Sequence, residues 1–183
     1  MRVIAGSARR LVLKCPEGKH TRPTTDRIKE TLFNILQGEI VDARFLDLFS
    51  GSGGIGIEAL SRGAKQCVFV ENEREAVTCI KQNLKTTRLS DQAQVMAMDV
   101  MQAIRRLDSL HEPFDIIFMD PPYHKDFEIK VIPCLLESSL VREGTLVITE
   151  AALDTDLSVM ESFSSPIERV KDYKTNRHVF FRV

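Results

Sequence analysis

No stretch of this sequence stays apolar for the roughly 20 residues that a bilayer-spanning helix needs. The opening residues, Met1-Arg2-Val3-Ile4-Ala5-Gly6-Ser7-Ala8-Arg9-Arg10, lack the apolar core of a secretion signal. Cysteine is scarce: Cys15, Cys67, Cys79 and Cys134 stand far apart, with no Cys-x-x-Cys pair and no histidine at ligand spacing. This excludes a disulfide framework and a zinc site, and no other metal site is evident; reduced cysteines place the chain in the cytoplasm, with neither membrane nor metal as partner. His20, His111, His124 and His178 have no acid or cysteine partner at useful spacing and are expected at the surface. Internal repeats and low-complexity segments are absent too.

What is present suits one soluble globular body. The 183 residues are 43% apolar and 28% charged, enough for a full core. The net charge of −1 hides an asymmetry: Arg2, Arg9, Arg10, Lys14, Lys19, Arg22, Arg27 and Lys29 face only Glu17, Asp26 and Glu30 in the first thirty residues. That arm carries +5 and the rest of the chain −6. A basic arm on an acidic body points to a polyanionic partner.

Residues 2–14 alternate loosely around Gly6-Ser7 and predict a short hairpin. Pro16-Glu17-Gly18-Lys19-His20 is a loop by composition. Beyond Pro23, Thr24 or Thr25 can cap a helix with an apolar stripe at Ile28, Leu32, Ile35 and Leu36, ending before Gly38. Strand and helix then alternate. Strands are expected at Arg44–Phe49, Gln66–Glu71, Gln94–Met98, Phe114–Met119 and Thr145–Glu150. Helices are expected at about Gly54–Arg62, Arg74–Thr87, Val100–Leu107 and Glu128–Leu136. Ile167–Tyr173 and His178–Val183 read as a terminal hairpin. The fold class is therefore α/β: a Rossmann-like, mostly parallel doubly wound sheet ending in an antiparallel pair, with a small N-terminal hairpin-and-helix extension. Phe33, Phe45, Phe69, Phe114 and Phe118 fall at core positions, and Cys67 and Cys79 read as small apolar packing residues.

The most informative stretch is Asp120-Pro121-Pro122-Tyr123. The apolar run before it predicts a buried parallel strand, which delivers the tetrapeptide to the sheet's carboxyl edge, where such sheets bind ligands. Two prolines stiffen the turn and remove two amide donors. An Asp carboxylate and a Pro carbonyl then form paired acceptors beside a flat Tyr ring, which suits the amino group of a planar base. The bland alternative is a rigid turn with a surface tyrosine.

Asp47-Leu48-Phe49-Ser50-Gly51-Ser52-Gly53-Gly54-Ile55-Gly56 closes the first sheet strand, and Glu71 lies 20 residues beyond Gly51. Gly51, Gly53 and Gly56 satisfy G-x-G-x-x-G, the pattern of dinucleotide sites. Asp47 just before the glycines would repel a pyrophosphate and attract an ammonium. Asp99 at the end of the third strand can accept a bond from an adenine amine. An ammonium, a ribose and an adenine together describe S-adenosylmethionine rather than NAD.

These motifs resemble those of class I amino-methyltransferases. More narrowly, Arg22-Pro23-Thr24-Thr25-Asp26-Arg27-Ile28-Lys29-Glu30-Thr31-Leu32-Phe33-Asn34 resembles the signature of the RsmD-type family, as do Arg2-Val3-Ile4-Ala5-Gly6 and Glu58-Ala59-Leu60-Ser61-Arg62-Gly63-Ala64. The resemblance runs through essentially the whole chain. It implies a bacterial enzyme that methylates the N2 amine of one guanine in small-subunit ribosomal RNA, naked or as a ribonucleoprotein particle. It implies that Phe49, Ser50, Gly51, Ser52 and Gly53 cradle the methionyl part, that Glu71 holds the ribose, and that Asn72, Asp99 and Val100 surround the adenine. Asp120, Pro121, Pro122 and Tyr123 would be catalytic, in a methyltransferase domain covering 39–183, with 1–38 as the basic extension. Ser50 stands where Ala is expected, and Gly54-Ile55 where Ala-Leu is. No added RNA-binding domain is expected, so target choice is expected from the arm and the sheet's carboxyl face, with Arg9, Arg10, Arg22, Arg27 and Lys29 gripping phosphates; Arg22 could instead meet the cofactor carboxylate. The competing readings are an amino-methyltransferase for adenine N6, cytosine N4 or protein glutamine, an NAD-dependent dehydrogenase, and a catalytically silent RNA-binding assembly factor.

Overall fold

The computed structural model describes residues 1–16, 25–161 and 166–183. After an N-terminal segment come α1 (Asp26–Ile35), β1 (Arg44–Leu48), α2 (Gly54–Ser61), β2 (Gln66–Glu71) and α3 (Arg74–Thr87). Then follow β3 (Ala93–Ala97), α4 (Val100–Asp108), β4 (Ile116–Met119), α5 (Phe127–Leu136), β5 (Leu146–Ala152), α6 (Ser158–Glu161), β6 (Ile167–Asp172) and β7 (Asn176–Arg182).

The strands form one seven-stranded sheet in the order β3-β2-β1-β4-β5-β7-β6. β1 to β5 are parallel, and β7 enters antiparallel between β5 and β6. The chain winds outward from β1 to β3, then returns to lay β4 and β5 on the other side of β1. The carboxyl ends of β1 and β4 thus flank the switch point, where helices diverge to opposite faces and leave a crevice.

Alternation along each strand divides the core into two layers. Phe45, Cys67, Phe69, Ile116, Phe118 and Ile148 face α1, α2 and α3 through Leu32, Phe33, Ile57, Leu60, Ile80 and Leu84. Leu46, Val68, Ile117, Met119 and Val147 face α4 and α5 through Ala103, Ile104, Leu107, Val131 and Leu135. Val3, Ala8 and Leu13 of the N-terminal segment join the first layer. The five phenylalanines expected in the core are all buried there, and Cys67 is buried while Cys79 is half-buried.

Several expected boundaries move. Phe114 is buried but donates its amide to Leu140 rather than to a sheet neighbour, so β4 starts at Ile116. β3 starts one residue earlier than expected, at Ala93, and β5 and β7 pair from Leu146 with Arg182 to Ala152 with Asn176. The N-terminal hairpin reduces to a single antiparallel bridge, Arg2 with Val12. Thr25 caps α1, its hydroxyl accepting from the Ile28 amide at 3.3 Å. The stripe that α1 buries is Lys29, Leu32 and Phe33 followed by Leu36, one residue around from the expected one. Among the described residues no helix is long and apolar enough to cross a membrane.

Candidate active site at the carboxyl edge of the sheet

Five parallel strands each carry an acid within two residues of their carboxyl ends: Asp47 in β1, Glu71 closing β2, Asp99 after β3, Asp120 directly after β4 and Glu150 in β5. Registers bring them side by side. Leu48 pairs with Val70 and with Met119, so the turns after β1, β2 and β4 leave the sheet at one level.

The glycine loop between β1 and α2 is a run of left-handed backbone: Phe49 at φ 60°, Gly51 at 54° and Gly53 at 79°. A side chain would strain such a conformation, which is why two of these positions are glycine. The third fingerprint glycine has a packing reason instead. A Cβ on Gly56 would lie 2.4 Å from the Phe69 ring and 2.6 Å from Cys67 Sγ, so only glycine lets α2 close on β2. Above Gly51 a Cβ would meet nothing within 4 Å, leaving the backbone open to a ligand. Ser50 is buried, its Oγ 2.6 Å from the Asp47 carbonyl and 3.2 Å from the Val70 carbonyl, so the unexpected hydroxyl ties the loop to β1 and β2. The Phe49 ring packs edge-on against Phe127 at 5.1 Å.

The acids divide by role. Asp47 is 1% exposed, and its Oδ2 accepts the Gly56 amide at 2.9 Å. Burial pushes its carboxyl up to about 7; the Gly56 amide opposes this and the Glu71 charge adds to it. Instead of offering an open anion, Asp47 turns inward and pins the start of α2. Glu71 accepts the Gly51 amide through Oε2 at 2.8 Å, and the Asn72 and Glu73 amides through Oε1 at 2.8 Å. It braces the loop from the neighbouring strand, with Asn72 exposed beside it. Asp99 caps α4, its Oδ1 accepting from Met101 at 2.8 Å and Gln102 at 3.3 Å, with Val100 buried behind it.

Asp120 continues β4 through its amide, bonded to the Leu48 carbonyl at 3.4 Å. Pro121 is buried, while Pro122 and Tyr123 are exposed. Burial and then the charges of Glu150 and Asp47 drive the Asp120 carboxyl well above its ordinary range. The Tyr123 hydroxyl donates to Glu150 Oε1 at 2.7 Å. Glu150 Oε2 lies 3.2 Å from Nε2 of His178, its register partner on β7, and His178 Nδ1 lies 3.2 Å from the Tyr173 hydroxyl. Burial raises the Glu150 pKa, but the bonds from His178 and Tyr123, the His178 charge and Asn176 outweigh it, and the net shift is downward.

His178 therefore corrects the expectation of a surface histidine: it is fully buried between Phe118, Tyr173 and Phe180, because β7 inserts against β5. Glu150 is a site residue that sequence reasoning misses, although its signal is the same as Asp120's, an acid closing an apolar parallel strand. His178 offers no such signal, since its place depends on the β5–β7 register.

Lys29 is a second correction. It is fully buried, with Nζ 3.2 Å from Glu58 Oε2 and donating to the Arg2 carbonyl at 2.6 Å. Burial lowers its pKa, more than the facing Glu58 raises it. Glu58 also binds Arg62 and the amides of Ile4 and Ala5, so the cluster fastens the N-terminal segment to α2 and leaves Lys29 no access to phosphate. Arg9, Arg10 and Arg27 are exposed and line, with Arg2, a groove of about 410 Å³. Arg22 lies outside the described residues. The arm reaches the glycine loop: the Met1 side chain lies over Gly54, and Asn83 Nδ2 bridges the Lys14 and Ser52 carbonyls at 2.9 Å each.

A seven-stranded sheet in this order, with a glycine loop after β1 and Asp-Pro-Pro-Tyr after β4 across the switch point, defines a Rossmann-like class I methyltransferase. The solved structure of yhhF from Escherichia coli agrees with a TM-score of 0.86 at 31% identity, covering 100% of this chain and 97% of that one. Residues 1–181 match the family model described as Conserved hypothetical protein 95, and the chain belongs to that family, the RsmD-type methyltransferases. It is 36% identical over 170 residues to Ribosomal RNA small subunit methyltransferase D of Haemophilus influenzae, covering 90% of this chain and 85% of the relative. The Escherichia coli protein of that name is 34% identical over 157 residues, covering 86% and 77%.

Proposed function

We propose that this protein transfers a methyl group from S-adenosylmethionine to the exocyclic N2 amine of a guanine in small-subunit ribosomal RNA. The observation that carries the reading is the placement of Asp120-Pro121-Pro122-Tyr123 across the switch point from the glycine loop, in a chain whose relatives are named for small-subunit ribosomal RNA methylation.

The residues present fit the methyl donor. The open backbone at Gly51 can admit its methionyl part. Three amides occupy three of the roughly four lone-pair positions of the Glu71 carboxylate, which leaves capacity for a ribose hydroxyl. Asp99, with Oδ1 in the α4 cap, has Oδ2 for the adenine amine, beside Asn72 and Val100. The inward-turned Asp47 would act by holding the loop in shape. When bound, S-adenosylmethionine supplies an electrophilic methyl group on a sulfonium.

The lone pair of a guanine amine is delocalised into its ring, so the protein must favour the attacking geometry. The Asp120 carboxylate and the Pro121 carbonyl accept the two N–H bonds and stabilise the positive charge that grows on the nitrogen. Asp120, whose proton affinity burial and the charges of Glu150 and Asp47 raise, receives the proton that the methylated amine loses. Tyr123 provides a wall on which the base stacks, and the rigid turn holds nucleophile and methyl carbon together. A base paired in a helix cannot enter such a site, so the target is unpaired or flipped out. Arg9, Arg10 and Arg27, with Arg22, bind the RNA backbone.

Asp120→Ala should abolish tritium transfer to ribosomal RNA while leaving affinity for S-adenosylhomocysteine, measured by calorimetry, nearly unchanged. Near-wild-type turnover in that variant, or transfer to DNA or protein in preference to ribosomal RNA, would overturn the reading.

A further inference from the structure

The chain has no tryptophan and two tyrosines, and both tyrosine hydroxyls end on one buried pair. Tyr123, from the Asp-Pro-Pro-Tyr turn, donates to Glu150 Oε1; Tyr173, from the β6–β7 turn, meets His178 Nδ1; and Glu150 and His178 meet each other across the β5–β7 register. Tyr123 is 36% exposed although its hydroxyl is moored to a buried carboxylate, so part of its ring remains at the surface of the turn. An exposed ring with free χ rotation would have to be ordered anew each time a base arrived, at an entropic cost that a mooring bond removes in advance. Glu150 can serve as the mooring because it is itself fixed: His178 holds Oε2, and Asn176 also bonds to it. His178 in turn is boxed in by Phe118 and Phe180 and pairs in the sheet with Lys171 of β6. The terminal hairpin, which carries no residue of the proposed chemistry, thereby reaches the catalytic turn through two hydrogen bonds.

We propose, resting on the function proposed above, that Glu150, backed by His178, is a positioning residue of the site: it fixes the Tyr123 ring as a preformed wall for the acceptor base.

With Tyr173→Phe as background, Tyr123 is the single tyrosine of a chain without tryptophan, and excitation beyond the phenylalanine band reports on it alone. A carboxylate that accepts a phenol's hydrogen bond quenches its emission, and a neutral amide quenches it less. Glu150→Gln in that background should therefore raise Tyr123 emission. Glu150→Ala should raise the KM for ribosomal RNA on the order of tenfold, the size of one base–aromatic stack, with a smaller change in kcat and with S-adenosylhomocysteine affinity preserved. Glu150→Gln, which keeps an oxygen acceptor, should restore KM most of the way to wild type. Tyr123→Phe should match Glu150→Ala, and the double variant should be no worse than either single one. Unchanged Tyr123 emission in Glu150→Gln overturns the inference, and this holds even where Glu150→Ala fails to fold. So does a wild-type KM in Glu150→Ala, or losses that multiply in the double variant. An inactive Asp120→Ala alongside any of these would remove the mooring and leave the proposed function standing; an active Asp120→Ala would remove that function itself.

Discussion

Asp47 Oδ2 accepts the amide hydrogen of Gly56 at 2.9 Å, spanning the glycine loop from β1 to the first turn of α2. The bond puts a carboxylate at a helix N-terminus, where a negative charge is favoured, yet in a place where burial penalises that charge more. Burial wins, and the carboxyl rises from 3.8 to about 7.

A dependence of stability on pH follows from this shift. The folded chain keeps a proton on Asp47 that the unfolded chain releases near pH 4, so the contribution to stability is full below that point. It is lost as pH rises through about 7. Asp47→Asn keeps an oxygen acceptor for Gly56 and cannot ionise. It should match wild type near pH 4 and exceed it at pH 8, by roughly 2–4 kcal/mol, since each pKa unit is worth about 1.4 kcal/mol. Denaturant titrations of both proteins from pH 4 to 8 check this. Curves that stay parallel would show that the Asp47 proton is not linked to folding.

Gly56 carries the other end of that bond and is the glycine whose replacement should be felt through packing alone. Its φ is not in the left-handed region, so backbone strain does not enter. A methyl group would collide with Phe69 and Cys67, both fully buried on β2. Gly56→Ala should lower stability by about 1–3 kcal/mol, the usual range for overpacking a dense core. It should also weaken S-adenosylhomocysteine binding, because α2 must move away from the loop that Asp47 and Glu71 brace. A denaturant midpoint equal to wild type would mean that α2 can shift without resistance.

Much of this was legible in the chain because burial leaves periodic traces. The apolar run ending at Met119 announced a buried parallel strand, and the acid, prolines and tyrosine after it could only lie at the ligand edge. Gly51, Gly53 and Gly56 were legible as a group, but their separate jobs were not: the first two satisfy φ, the third makes room for a ring. Side-chain direction was harder to read. Asp47 and Asp120 both belong to the strand edge, yet one is fully buried on a helix amide and the other keeps part of its surface exposed. Lys29 looked like a surface cation because charge alone suggests solvent. Its spacing said otherwise, since it stands three and four residues before Leu32 and Phe33 and so shares their buried face. What no spacing could give was its partner, Glu58, 29 residues on, or the register that sets His178 beside Glu150.

The different fates of these cations separate two kinds of loss. Lys29→Ala leaves Glu58 buried with one partner fewer, and breaking a buried pair in this way costs about 3–5 kcal/mol. The variant should melt early, while the salt dependence of RNA binding by its folded fraction stays as in wild type. Arg9→Ala, Arg10→Ala and Arg27→Ala remove exposed charges from the groove between the N-terminal segment and α1, and each should leave stability within about 0.5 kcal/mol of wild type. Each should also lower RNA affinity and flatten the plot of log Kd against log salt by about 0.7–0.9 for every phosphate no longer neutralised. Fluorescence anisotropy with a small-subunit ribosomal RNA fragment at several salt concentrations gives the slopes. If the three arginine variants keep the wild-type slope, the groove does not hold the RNA backbone. A flattened slope in Lys29→Ala would mean instead that freeing the N-terminal segment from α2 carries the arginines out of reach.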